Sequence, residues 1–217
     1  SDDNLPFDLA KSALKTVTQK RKSGVAGSGS YGSVYVDLQK PNSVTKKFEC
    51  KRFFKAMITE IWVSSFTKSE GSCQNLCSMT GFSILDKSIS MELFETDLSR
   101  FMEIYSDQCQ SEILETDIEK RDLKRAGFRT IFILQTNFLE QILNGIGFLH
   151  QNEILHRDIK LYNILLKLDQ DQNFVFALCD FSLSRNGRSI STFDDFDIKL
   201  SKNFNPESGL DGSFLLL

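Results

Sequence analysis

Apolar positions follow two different periods along this chain, and the switches between them mark its elements. From Gly24 a glycine-rich stretch of alternating β-formers, GVAGSGSYGSVYVDL, leads through the turn QKPNS into VTKKFEC. That pattern predicts three strands, the first two joined by a glycine turn. The next segment, FFKAMITEIWVSSFTK, carries Phe54, Met57, Ile58, Ile61 and Trp62 with no Gly or Pro, which is helical spacing. Two short runs, CSMTGFSIL and SISMELF, return to strand character. Beyond them RTIFILQTNFLEQILNGIGFLH sets Ile131, Leu134, Phe138, Ile142 and Leu149 on one helical face with further apolar residues around it, so a largely buried helix is expected. ILLKL and FVFALCD then flank the polar turn DQDQN and read as a hairpin with Asp180 at its end.

Two segments fit neither period. Residues 1–23 read as a polar or weakly amphipathic leader whose Lys/Arg cluster is a solvated face. The stretch YSDQCQSEILETDIEKRDLKRAG is charged, with little apolar periodicity, and reads as an insert, either a solvated helix or a loop. A lobe boundary is placed near it, and no internal repeat is visible.

Composition narrows the function classes. With 217 residues, 41% of them apolar, the chain can build one substantial domain or two small lobes. A net charge of −3 with both signs interspersed provides no basic field for nucleic acid and no polybasic membrane patch, so neither partner is expected. Without a secretion signal or a long apolar run, the expected setting is cytosolic, with a nuclear one as the alternative. Five scattered cysteines and two histidines suggest neither a disulfide framework nor a zinc site, and Cys73 and Cys77 read as ordinary buried or loop thiols.

The candidate chemistry starts at Gly27, Gly29, Gly32 and Val34, a G-x-G-x-x-G-x-V pattern between two strands. Glycines let a backbone approach phosphate oxygens, and the valine can cap a flat base. A strand rather than a helix follows the glycines, which argues against a dinucleotide fingerprint; a plain structural turn is the bland alternative. Of Lys46 and Lys47 in the third strand, only one can face the glycine loop. Lys46 is favoured because Val44 lies on its face as an apolar wall for a base, and Lys47 stays open. Glu60 on the following helix is the candidate anion for that lysine, against the bland reading of a solvated face. The densest cluster is His156, Arg157, Asp158, Lys160 and Asn163, an H-R-D-x-K-x-x-N spacing that chance yields in roughly one chain in ten thousand of this length.

With that motif the chain resembles a eukaryotic-type protein kinase of the Ser/Thr type, over about residues 24 to 208. The resemblance implies an α+β, two-lobed fold: an antiparallel β-sheet N-lobe with one helix, then the first part of a mainly helical C-lobe. It divides the chain into the leader 1–23, an N-lobe and hinge 24–95, the start of the C-lobe with the charged insert 96–128, and a partial C-lobe 129–217. The cofactors implied are ATP and Mg²⁺, and the substrate a protein Ser/Thr hydroxyl. Phosphoryl transfer needs a carboxylate to take the hydroxyl proton, metal ligands, and cations on the phosphates. The resemblance accordingly implies Asp158 as base, Lys160 as a cation on the transferred group, and Asn163 and Asp180 as Mg²⁺ ligands. Gly27, Gly29 and Gly32 would cover the phosphates, and Lys46 would pair with Glu60. Met91 would be the gatekeeper, with the Glu92 and Phe94 backbone on adenine and Val34, Val44 and Leu165 sandwiching the base. Arg157 would answer a phosphorylated activation loop, with Ser189, Ser191 and Thr192 as candidate sites.

The departures are specific. Asp180-Phe181-Ser182 has Ser where the family usually has Gly, which restricts that loop. Ser64, one turn past Glu60, stands where the family prefers an apolar residue and puts the seating of that helix in question. Asn205-Pro206-Glu207-Ser208 falls about where A-P-E closes the activation segment, with ten residues after Glu207. A C-terminally truncated C-lobe is therefore expected, poorly stable alone or covered by a partner chain or chaperone. The alternative function is a pseudokinase-like ATP-binding or scaffold module. A small-molecule kinase ranks below it, because such enzymes usually lack the H-R-D-x-K combination.

Overall fold

The computed structural model describes residues 5–20, 25–29, 32–36, 40, 42–49, 53–115 and 137–187. Its first layer is a five-stranded antiparallel sheet in the order β1-β2-β3-β5-β4, formed by Val25–Gly29 (β1), Gly32–Val36 (β2), Ser43–Lys47 (β3), Met79–Ser83 (β4) and Ser88–Glu92 (β5). The helix Phe54–Ser69 (α2) lies against it, as its period requires. Met57, Ile61, Phe48 and Ile89 form the core between them. Phe54 is the exception to the expected face and stays exposed.

Register decides which residues of the sheet share a face. Val34 lies opposite Lys46, Lys46 opposite Ile89 and Val44 opposite Met91, so all five point to the helix side. Their neighbours Thr45, Lys47, Ser88 and Ser90 take the other face and line a shallow polar trough. Gly32 meets a packing demand here, since a Cβ on it would collide with the backbone carbonyl of Lys47.

The second lobe is built on two smaller sheets. Thr96–Asp97 (β6), Ile164–Leu168 (β8) and Phe174–Leu178 (β9) form one, in the order β6-β8-β9; Ile154–Leu155 (β7) and Arg185–Asn186 (β10) form the other. All five residues of β9 are buried, which accounts for its unbroken apolar run. The sheet packs on Leu98–Glu115 (α3) and on the helix over 137–151 (α4), around Phe101, Tyr105, Ile142, Leu149, Leu166 and Phe176. The fold is the α+β, two-lobed arrangement implied by the resemblance.

Three expectations need correction. The segment read as a polar leader folds as Leu5–Lys20 (α1), and Ala10, Ala13, Leu14 and Val17 are buried, the first three in the C-lobe core. Their spacing, i, i+3, i+4 and i+7, is a complete helical stripe masked by the surrounding Lys, Ser and Thr. The charged insert, read as a solvated helix or a loop, starts as the helix but is not wholly solvated: α3 runs into it as far as Glu115, with Tyr105 buried and Gln108 donating to Thr16 Oγ1 of α1 at 3.1 Å. The helix expected to be largely buried exposes Leu139 and Leu143, at 54% and 63%, on one edge of α4. Ile131, Leu134, Ser189, Ser191, Thr192 and residues 205–208 lie outside the described residues.

Candidate active site

Lys46 stands at the centre of the site. Its buried Nζ donates to Glu60 Oε2 at 2.7 Å and to Asp180 Oδ1 at 2.9 Å, joining the sheet, α2 and the end of β9. Lys47 points the other way, exposed on the outer face 5.7 Å from the Tyr35 ring. Burial alone would lower the Lys46 pKa, but the two carboxylates outweigh it and hold the ammonium above its ordinary value. Burial pushes the Glu60 carboxyl up, and Lys46 works against that shift. At Asp180 burial also pushes upward, yet Lys46 and a bond from Ser182 hold it below the ordinary range. Ser64 is buried on α2 without preventing the helix from seating Glu60 on Lys46.

Asp180 reaches this position in a left-handed backbone conformation, φ 61° and ψ 72°, and the short 3₁₀ turn Phe181–Leu183 follows. For a non-glycine residue that geometry costs on the order of 1–2 kcal/mol, which the bonds to its carboxylate offset. Ser182, expected only to restrict the loop, donates from Oγ to Asp180 Oδ1 at 2.7 Å.

The catalytic-loop motif forms a second cluster, held between β7 and β8. Asn163 Nδ2 donates to both the carbonyl of Asp158, at 2.8 Å, and its Oδ2, at 2.9 Å. Lys160 Nζ reaches the same Oδ2 at 2.7 Å. Asn163 is buried while Lys160 is about half exposed, so one partner is fixed and the other faces solvent. Arg157, at φ 70° and exposed, points its backbone sharply around the turn.

The two clusters are tied together by His156, a residue the motif contains but to which the sequence reading gave no role. Its Nε2 lies 3.0 Å from the carbonyl of Cys179, and its Nδ1 accepts the Asp158 backbone N–H at 3.3 Å. Those partners require the neutral Nε2–H tautomer. The ring also packs on Phe181, with centroids 5.3 Å apart, and Ser184 Oγ donates to the His156 carbonyl at 3.3 Å. Burial holds the imidazole below its ordinary value of 6.5. A folded pKa lowered in this way favours the protein while the ring is neutral, and that contribution is lost as pH falls below about 6.5. The melting temperature should therefore drop between pH 7 and pH 5.5, and by less in His156→Gln, as calorimetry at the two pH values would measure.

The cleft between the lobes holds the remaining predicted positions. Gly29 lies opposite Gly32 at the end of the β1–β2 hairpin, with Gly27 opposite Val34 beside a bulge. Val44 and Phe94 are buried; Met91 and Leu165 are half-buried and pack in one cluster with Cys77, Ala177 and Cys179. Glu92 uses its N–H on the Ser78 carbonyl at 2.9 Å, so its contribution to a base would be its carbonyl. A clasp not foreseen joins the lobes here: Lys167 pairs with Glu92 and lies 4.7 Å from the Phe94 ring centroid. Cys73, Cys77 and Cys179 are free thiols, and burial pushes Cys77 up to about 12 and Cys179 well above its ordinary value, so these two are unreactive.

Behind the site β9 is braced by an amide. Gln141 of α4 accepts from the Phe176 N–H at 2.9 Å and donates to the Phe174 carbonyl at 2.8 Å, acting as a strand edge. Asn75 completes the network through Gln141 and the Phe176 carbonyl. A glutamine in an apolar helix gave little signal of this. Among the described residues no helix is long and apolar enough to cross a membrane.

Comparison with known proteins agrees with this geometry. A protein kinase domain matches residues 21–204. The mitogen-activated protein kinase KSS1 of Saccharomyces cerevisiae is 27% identical over 77% of this chain and 42% of its own length. The meiosis-specific serine/threonine-protein kinase mek1 of Schizosaccharomyces pombe is 45% identical over 24% of the chain and 13% of its own. Human cyclin-dependent kinase-like 2 is 52% identical over 22% and 9%. The chain thus spans less than half the length of these relatives, and α1 lies ahead of the matched region. A lysine bridging a helix glutamate and the aspartate after β9, above an H-R-D-x-K-x-x-N loop locked on its own aspartate, places the chain in the eukaryotic-type protein kinase family.

Proposed function

We propose that this chain binds ATP with Mg²⁺ between its lobes and transfers the γ-phosphoryl group to a Ser or Thr hydroxyl of a protein. The observation that carries this reading is the pair of closed clusters: Lys46 bonded to both Glu60 and Asp180, and Asp158 held by Asn163 beside Lys160. Phosphoryl transfer is governed by positioning and charge, and these are rigid, buried or half-buried arrangements of the needed groups. The Schizosaccharomyces pombe relative is a serine/threonine-protein kinase, which supports Ser/Thr as acceptor.

Hard oxygens are available for the cation. Asn163 spends its Nδ2 on Asp158, which leaves its Oδ1 as an acceptor, and Asp180 keeps Oδ2 without a side-chain bond among the described residues. One or two such ligands suit Mg²⁺, whose coordination substrate phosphates complete, and Asn163 and Asp180 would hold it. When bound, Mg²⁺ supplies neutralisation of the phosphate charge. Lys46 steadies phosphate oxygens under the Gly27–Gly32 hairpin, while Val34, Val44 and Leu165 enclose the base beside Met91 and the Glu92–Phe94 backbone. Asp158 takes the acceptor's proton, and Lys160 lies within reach of the transferred group.

The test is transfer of labelled γ-phosphate to a generic Ser/Thr peptide, beside Asp158→Asn. The wild-type chain should label the peptide, with a rate at least about a hundredfold above the variant. Equal rates would remove Asp158 from the role of base, and labelling of neither would leave a nucleotide-binding module.

A further inference from the structure

The aspartate after β9 is more tightly held than its role as a cation ligand alone requires. Its Oδ1 accepts two donors at once, Lys46 Nζ at 2.9 Å and Ser182 Oγ at 2.7 Å. Ser182 is itself buried on the 3₁₀ turn that packs against α2, so its hydroxyl has little freedom to leave. Two donors converging on one oxygen fix the rotation of the carboxylate plane, which one donor cannot do. Oδ2 is then the oxygen left without a side-chain donor among the described residues. A glycine at position 182 has no hydroxyl with which to do this.

We propose that Ser182 is a positioning residue for divalent-cation binding: it orients the Asp180 carboxylate, with Oδ1 committed to protein donors and Oδ2 left for the ion. The inference rests on the proposed function, in which Asp180 is a cation ligand. Ser182 acts through Asp180 and touches neither the ion nor the phosphates. The hydroxyl also ties the backbone around Asp180, so the left-handed turn is held in the orientation that faces the cleft.

Mn²⁺ binding to the full chain, followed by electron paramagnetic resonance with a saturating β,γ-imido analogue of ATP, tests this directly. Ser182→Ala and Ser182→Gly are compared with wild type and with Asp180→Asn, together with metal-free nucleotide affinity and melting temperature. Both Ser182 variants should weaken Mn²⁺ about ten- to a hundredfold, the effect of losing a hydrogen bond to a charged metal ligand, with metal-free nucleotide affinity unchanged. Asp180→Asn should weaken it much further. If Asp180→Asn loses Mn²⁺ while both Ser182 variants bind it as wild type does, the positioning role fails and the proposed function stands. If Asp180→Asn binds Mn²⁺ normally, Asp180 is not the ligand and both fail. A lower melting temperature with unchanged Mn²⁺ affinity in the folded fraction would assign Ser182 a merely structural role, which also overturns the inference.

Discussion

Lys46→Met is expected to lower folding stability by about 3–5 kcal/mol and to slow phosphoryl transfer by about a thousandfold. The methionine keeps the aliphatic bulk but leaves Glu60, about 1% exposed, facing Asp180 with no cation between them. Two carboxylates in that setting cannot both stay charged cheaply, and the buried one is the one that protonates. The pH dependence follows. The Glu60 carboxyl is already raised from its ordinary 4.5 by burial, and removing Lys46 raises it further. A carboxyl with a raised folded pKa penalises the folded state as pH climbs above its unfolded value, so the defect should grow from about pH 4.5 upward and shrink at acid pH. Urea titrations at pH 5 and pH 8 would read this. Adding Glu60→Gln to Lys46→Met should restore part of the stability at pH 8 and none of the transfer. A variant as stable as wild type at pH 8 would mean that the bridge contributes nothing to the fold.

Leu14→Asp should be nearly as damaging, although it lies outside the matched kinase region. Leu14 is about 1% exposed in one cluster with Ala10, Ala13 and the C-lobe core, and that cluster contains no cation to pair a carboxylate. Losing the buried leucine costs about 2–5 kcal/mol, and burying an unpaired polar group adds to it. An expected loss of about 4 kcal/mol shifts the folding equilibrium by roughly a thousandfold. The control is Lys15→Asp on the exposed face of α1, which should stay within about 0.5 kcal/mol of wild type. If both variants unfold at the same urea concentration as wild type, α1 is not part of the domain core.

Much of the candidate site was legible because its motif is local. H-R-D-x-K-x-x-N spans eight residues, and most of its bonds, from Asn163 and Lys160 to Asp158, close within it. Strand alternation was enough to separate Lys46 from Lys47 in principle, since period two puts neighbours on opposite faces. The register with β2 and β5 then decided which face was the inner one. Composition misled where burial depends on distant partners. In α1 the small apolar residues 10, 13, 14 and 17 stand among lysines and threonines, and packing against α3 and β6 is what buries them.

The amino-acid sequence by itself determined most of the element types, the loop carrying Asp158 and Asn163, and the residues proposed as cation, base and ligand. Period and motif are properties of neighbours along the chain, and no tertiary contact is needed to express them. Tertiary structure alone decided that Lys46, expected to pair with Glu60, also meets Asp180, 134 positions away, and that His156 joins the two clusters. It also decided that Ser182, two residues from Asp180, turns back to hold it. Those outcomes depend on the left-handed turn at Asp180 and on how α2 packs against it, and neither is written in the spacing of residues.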